Sequence, residues 1–199
     1  MHPNRAFRFD DDAAMLDWAV ARGFAHIFAA TPAGPLVAHA PITATGSGGV
    51  RFHLARANPL ASQIDGAQAL LSIAGPDGYI TPNWYVEGAQ SVPTWNYIAV
   101  EIEGDVRALD DAGLTDQLDA LAAQHEPRFT PDASWTRAKM DDARFVAMRR
   151  AIIGFELTVT AVRSTCKLSQ NKSAEDRAGV ISGLERAGNT ALAAAMRPA

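Results

Sequence analysis

Hydrophobic and polar positions alternate most cleanly over residues 95–108, where Val100, Ile102 and Val106 are interleaved with Glu101, Glu103, Asp105 and Arg107. A period of two buries one face of a strand and wets the other. Residues 152–162 repeat the pattern, with Phe155, Leu157, Val159 and Ala161 on one face. Residues 24–30 and 36–42 are apolar segments parted by Thr31-Pro-Ala-Gly34, and Thr45-Gly-Ser-Gly-Gly49 leads from the second into residues 50–54. Turn residues between such runs predict a three-strand antiparallel meander. Pro41 lacks a ladder donor and so marks an edge or a bulge. Residues 67–73 predict a further, buried strand that stops at Gly75-Pro-Asp-Gly78.

Helical patterns fill the intervals. Asp10-Asp11-Asp12 precedes apolar residues that run to Gly23, and Leu114, Leu118 and Leu121 mark a helix over residues 110–124. Residues 134–148 predict another, with Trp135, Met140, Phe145 and Met148 as core contacts. Ser173 with Asp176 forms a capping signal for a helix to about residue 184, and residues 189–196 predict a last short one. Six or seven strands in meander order, with helices inserted, give a mainly β fold with flanking helices (α+β), an antiparallel barrel. A single domain over 1–199 is expected, with residues 173–199 as a C-terminal helical extension.

Composition narrows the function. A formal net charge of -4, with basic residues spread along the chain, is not the footprint of a duplex-DNA binder. Cys166 is the one cysteine, which excludes an intrachain disulfide and suits a reducing cytoplasm. No apolar run approaches ~20 residues, so no membrane span and no export signal are expected. Glycine-rich nucleotide loops, His-Glu-x-x-His and nucleophile elbows are absent, and no two of the five histidines share a predicted element at metal-ligand spacing.

The chemistry that remains sits in two stretches. In Gly49-Val-Arg-Phe-His-Leu-Ala-Arg-Ala-Asn-Pro59 a strand runs straight into a helix start, with Asn58 as cap and Pro59 as first helical residue, the helix reaching about residue 64. Unpaired N–H groups and Arg56 beside them suit an anion such as phosphate, unless the stretch is an ordinary capped helix with a solvated arginine. His39 and His53, on neighbouring strands, are expected to face one end of the barrel. The second stretch, residues 79–97, spends Trp84, Trp95 and several tyrosines on a loop, either as a satellite apolar cluster or subunit contact, or as a wall for a flat ring.

Six segments then resemble a known family: Phe52-His-Leu-Ala-Arg-Ala-Asn-Pro59, Gly75-Pro-Asp-Gly-Tyr-Ile-Thr-Pro-Asn-Trp-Tyr85, Val92-Pro-Thr-Trp-Asn-Tyr97, Ile153-Gly-Phe-Glu156, Lys167-Leu-Ser-Gln-Asn171 and Asp176-Arg-Ala-Gly-Val180. They are similar, in order and spacing, to the PaiB-like FMN-binding negative transcriptional regulators. That family is akin to the split-barrel flavoproteins typified by pyridoxamine 5'-phosphate oxidase. The resemblance implies an antiparallel split barrel of FMN-binding type and a homodimer with the flavin at its interface. It makes Arg56, Trp95 and Asn96 candidate cofactor contacts, and the further candidates are His39, His53, Leu54, Asn58, Lys167, Ser169, Gln170 and Asn171. Of the phosphate-binding turn of that wider group only Arg56 is kept, and Thr43 stands where the oxidases carry a lysine; Lys167 and the polar residues after it are the candidate substitute donors. Regulation of transcription follows from the family label alone, so DNA is a possible partner only on that ground, and an FMN-dependent oxidoreductase acting on an unknown small substrate is the alternative.

Overall fold

The computed structural model describes residues 3–9 and 11–197; the expectations for His2 and Asp10 lie outside them. Helix α1 (Asp12–Arg22) is capped by Asp11, whose carboxylate accepts from the Ala14 N–H at 2.9 Å. It ends at Gly23, whose φ of +76° only glycine adopts without strain. Strands β1 (Phe24–Thr31), β2 (Gly34–Ala44), β3 (Val50–Ala55), β4 (Gln68–Ile80), β5 (Thr94–Ala108) and β6 (Ile152–Lys167) close into a barrel in the order β1-β2-β3-β6-β5-β4. Helices α2 (Asp111–His125) and α3 (Asp142–Arg149) lie between β5 and β6, and α4 (Ala174–Arg186) and α5 (Thr190–Ala195) follow β6. Among the described residues no helix is long and apolar enough to cross a membrane.

By contacts the chain forms two compact units. One comprises Leu16–Ile73 and Glu101–Val162. Its sheet is antiparallel, pairing Ile27 with Ala38, Ile42 with Phe52 and Phe52 with Phe155. The alternation read from sequence is what fills its core: Ile27, Ile42, Phe52, Leu71, Ile102, Phe155 and Leu157 are fully buried, and the Phe52 and Phe155 rings stack with centroids 5.4 Å apart. Each such side chain stabilises the fold by ~1.5–3 kcal/mol. The other face of β1 and β2 is left open, with Phe24, Phe28 and Val37 exposed.

The second unit comprises Met1–Met15, Ala74–Val100 and Arg163–Ala199. Ile80, Tyr85, Val180, Leu184, Leu192, Ala193 and Met196 form its core, with Trp84 packed against them. Strands β4, β5 and β6 contribute residues to both units. The aromatic loop therefore divides its roles, because Trp84 and Tyr85 build the satellite cluster whereas Tyr79 and Trp95 are exposed.

Four boundaries differ from the sequence reading. Strand β4 does not stop at Gly75 but continues to Ile80, and its buried positions change phase there, from Ala69, Leu71 and Ile73 to Gly78 and Ile80. Strand β6 extends through Cys166 to Lys167, so the polar loop begins one residue later. Helix α3 starts only at Asp142, because residues 131–141 form a turn, irregular chain and one 3-10 turn at Arg137–Lys139, and Trp135 and Met148 are exposed instead of lying in the core. The helix expected over residues 58–64 is absent.

In its place stand consecutive turns, with Ala61 N–H donating to Asn58 O at 3.0 Å, Gln63 to Leu60 O at 3.0 Å and Ala67 to Ile64 O at 3.1 Å. These bonds run from residue i+3 back to residue i, so the stretch coils without closing an α-helical ladder. The apolar spacing is still used, since Leu60, Ala61 and Ile64 are buried.

Candidate functional site

The predicted residues fall into the two units, and each set has its own geometry. In the first unit the absence of a helix after Asn58 removes the dipole from the anion argument. Arg56 is exposed, and its guanidinium donates from Nε to Arg150 O at 3.0 Å and from Nη2 to Ile152 O at 3.3 Å. Nη1 has no partner among the described residues. The Asn58 side chain accepts from Leu60 N–H at 2.9 Å and so caps a turn. Leu54 points into the core.

His39 and His53 take different partners. His39 pairs with His26 across β1 and β2, their rings edge to face at 4.8 Å. His53 lies on β3 with Nδ1 3.0 Å from Oε1 of Gln117 on α2, so the imidazole N–H donates to the amide oxygen. Burial holds the His53 pKa below its ordinary value, and the Gln117 bond opposes that only in part. Thr43, at the position of the oxidase lysine, is buried with no partner for its hydroxyl.

The second unit does assemble predicted residues. A cleft of about 400 Å³ is lined by Asn96, Lys167, Ser169 and Asn171, together with Thr94 and Lys172. Asn96 is fully buried on β5; its Nδ2 donates to Ser169 Oγ at 2.8 Å, while its Oδ1 has no hydrogen-bond partner. Leaving a buried carbonyl oxygen unpaired costs about 1–3 kcal/mol, which marks a place for a donor from a ligand. The Lys167 ammonium donates to Thr94 Oγ1 at 2.5 Å and stands 5.8 Å from the centre of the Phe7 ring. The Lys172 ammonium sits 4.4 Å over Tyr85. Both cations are thus pre-positioned on aromatic faces.

The loop between the two lysines is held rigid. Ser169 is the one non-glycine residue of positive φ among those described, at +57°, and it is buried. Gln170 sustains that turn: its Oε1 accepts from Leu168 N–H at 2.7 Å, and its Nε2 donates to Cys166 O at 2.6 Å and Ala6 O at 3.1 Å. Gln170 therefore positions the loop instead of lining the cleft. Trp95 lies outside the lining too, donating from Nε1 to Asp77 at 2.9 Å and meeting the Tyr79 ring edge-on. Sequence reasoning missed Thr94, Lys172 and Phe7. Thr94 sits two positions before Asn96 on the same strand face, a signal that was available; Phe7 reaches the cleft through the tertiary fold alone.

Among the described residues no group of three His, Cys, Asp or Glu could hold a metal ion. The cleft instead offers two ammonium groups, hydroxyls and an unpaired amide oxygen, a donor set for a ligand with a negative end and an N–H. Both features belong to FMN, in its phosphate and its ring imide.

Comparison with known proteins finds relatives over most of the chain. The chain is 31% identical over 189 residues to the uncharacterized protein AN0679 of Emericella nidulans, covering 79% of this chain and 75% of that one. It is 29% identical over 138 residues to the protease synthase and sporulation protein PAI 2 of Bacillus subtilis, covering 69% of this chain and 65% of that one. Among solved structures, the flavocytochrome Anf3 of Azotobacter vinelandii superposes with a TM-score of 0.63 at 17% identity, covering 89% of this chain and 78% of that one. The FAD and heme binding protein of Mycobacterium smegmatis does so with a TM-score of 0.60 at 16% identity, covering 86% and 78%. At such identities these two likenesses concern the split-barrel fold. The family described as "Putative FMN-binding domain" matches residues 1–161. With its PaiB-like segments, its barrel and that match in agreement, the chain belongs to this family of FMN-binding domains, and FMN is its cofactor.

Proposed function

We propose that the protein is a homodimeric FMN-binding module that responds to redox state, and that the cleft of the second unit holds the cofactor. The observation that carries this reading is the buried, unpartnered Oδ1 of Asn96 in a cleft that also bears Lys167 and Lys172. The two ammonium groups hold the negative phosphate, and Asn96 accepts from the imide N–H of the ring. Hydrogen bonds that involve a charged group contribute about 1.5–3 kcal/mol each. Bound FMN supplies reversible electron transfer, and cationic side chains beside it favour the reduced, more negative form.

Direct DNA contact is the weaker part of the family label, because an acidic chain repels a phosphate backbone. A single buried cysteine suits a reducing cytoplasm. The alternative reading is an FMN-dependent oxidoreductase acting on a small substrate. It predicts rapid anaerobic bleaching of the flavin by NADH or NADPH, whereas the redox-responsive module predicts bleaching by dithionite alone.

Arg56 is the competing position for the phosphate, since its Nη1 is free among the described residues. Equilibrium dialysis with FMN separates the two. Lys167→Ala should weaken FMN by about 10- to 100-fold and Arg56→Ala should leave it unchanged. The reverse result would place the phosphate at the turn after β3.

A further inference from the structure

The four side chains that the sequence assigned to the core of a long helix do something else. Trp135, Met140, Phe145 and Met148 line, with Leu118 and Leu121 of α2, a cavity of about 680 Å³ inside the first unit. Trp135 is 38% and Met148 56% exposed, so this apolar wall opens to solvent instead of being packed shut. Cavities of roughly 300–1,000 Å³ with apolar walls and a few polar groups are the form of small-molecule sites.

The polar groups at the cavity decide what it takes. The Glu126 carboxylate is committed to shaping the rim, accepting from Trp135 N–H at 3.0 Å and Thr130 Oγ1 at 3.5 Å. Arg149 is committed to Asp111, with which it forms an ion pair, and donates to Thr115 Oγ1 at 2.9 Å. Two groups are left. Arg22, in the last turn of α1, has no hydrogen bond or ion pair among the described residues. The His125 ring rests against the bare backbone of Gly23, where an added Cβ would meet its Cε1 at 2.7 Å. The rim itself is fastened: Gln124 Nε2 donates to Val20 O at 2.7 Å and Arg128 to Ala21 O at 3.3 Å.

We infer that this cavity binds an apolar acid, a molecule with an aliphatic or aromatic body and one anionic head, the body lying among Leu118, Leu121, Trp135, Met140, Phe145 and Met148 and the head meeting Arg22. Apolar burial supplies the affinity, and the guanidinium selects the acid over a neutral analogue of equal length. Its lining shares no residue with the cleft proposed for the flavin.

Calorimetric titration of the full-length, FMN-loaded protein with decanoate and with 1-decanol tests the inference. Decanoate should bind one molecule per chain, and Arg22→Gln should weaken it tenfold or more without changing the affinity for 1-decanol. Leu121→Trp, which fills the cavity, should abolish binding of both while the flavin spectrum remains, showing the fold intact. Three results would overturn the proposal: no heat from decanoate, decanoate binding that survives Leu121→Trp, or equal losses of acid and alcohol in Arg22→Gln. A Leu121→Trp protein that sediments at half the parental mass would do so too, since a second copy would then be the occupant.

Discussion

A half-buried imidazole, His53, and a buried thiol, Cys166, are titratable groups that the flavin cleft does not use. The Cys166 thiol is buried, and burial pushes its pKa up to about 11, so it behaves as a small apolar residue and not as a nucleophile. His53 has a consequence for stability. In the unfolded chain its imidazole takes a proton near the ordinary 6.5, but in the folded protein only at lower pH, because desolvation disfavours the cation. The unfolded state therefore binds the extra proton first, and stability that is complete above the unfolded pKa is lost as pH falls through and below 6.5. Urea midpoints should decline from pH 7.5 to 5.5, and His53→Gln should flatten that decline. An unaltered slope in the variant would assign the effect to other groups.

Among the elements, α4 shows how a close approach is built from glycine. Gly179 and Gly183 are four residues apart and so lie on one face of the helix. A Cβ on Gly179 would meet Trp84 O at 2.1 Å, and one on Gly183 would meet the Trp84 ring at 2.3 Å. Alanine favours a helix by ~1 kcal/mol over glycine, yet overpacking costs ~1–3 kcal/mol, and here the indole is already seated against Val180 and Leu184. Gly183→Ala should thus lower Tm by several degrees in a thermal melt. Ser182→Ala, on the exposed side of the same helix, should leave Tm unchanged or slightly raised. Residues 58–64 teach the complementary lesson. Their apolar spacing suited a helix and their buried side chains honour it, but their backbone bonds span three residues instead of four, so consecutive turns do the same work.

For the whole molecule, the proposed homodimer predicts a sedimentation mass twice that of the chain, yellow in colour with one FMN per protomer. A colourless monomer that ignores added FMN would overturn the cofactor reading, and a yellow monomer would overturn only the homodimer. The strands were legible because a period of two in β5 and β6 is written into single residues: Val100, Ile102, Val106, Phe155 and Leu157 are apolar for a reason that acts over two positions of one strand. Helix starts at Asp110 and Ser173 were legible on the same grounds, each side chain accepting from a backbone N–H three residues on. The segments shared with the FMN-binding family were also present in the sequence, and with them the cofactor. The tertiary structure decided which of those residues meet. It put Asn96, Ser169, Lys167 and Lys172 around one cleft, gave Gln170 to the loop behind it, and turned Trp135 and Met148 from expected core into cavity wall. The physical reason is range: local propensity and periodicity act over a few residues, whereas an unpaired amide oxygen, a ring under an ammonium or a hole between helices exists only after segments 70 or more positions apart have been packed together.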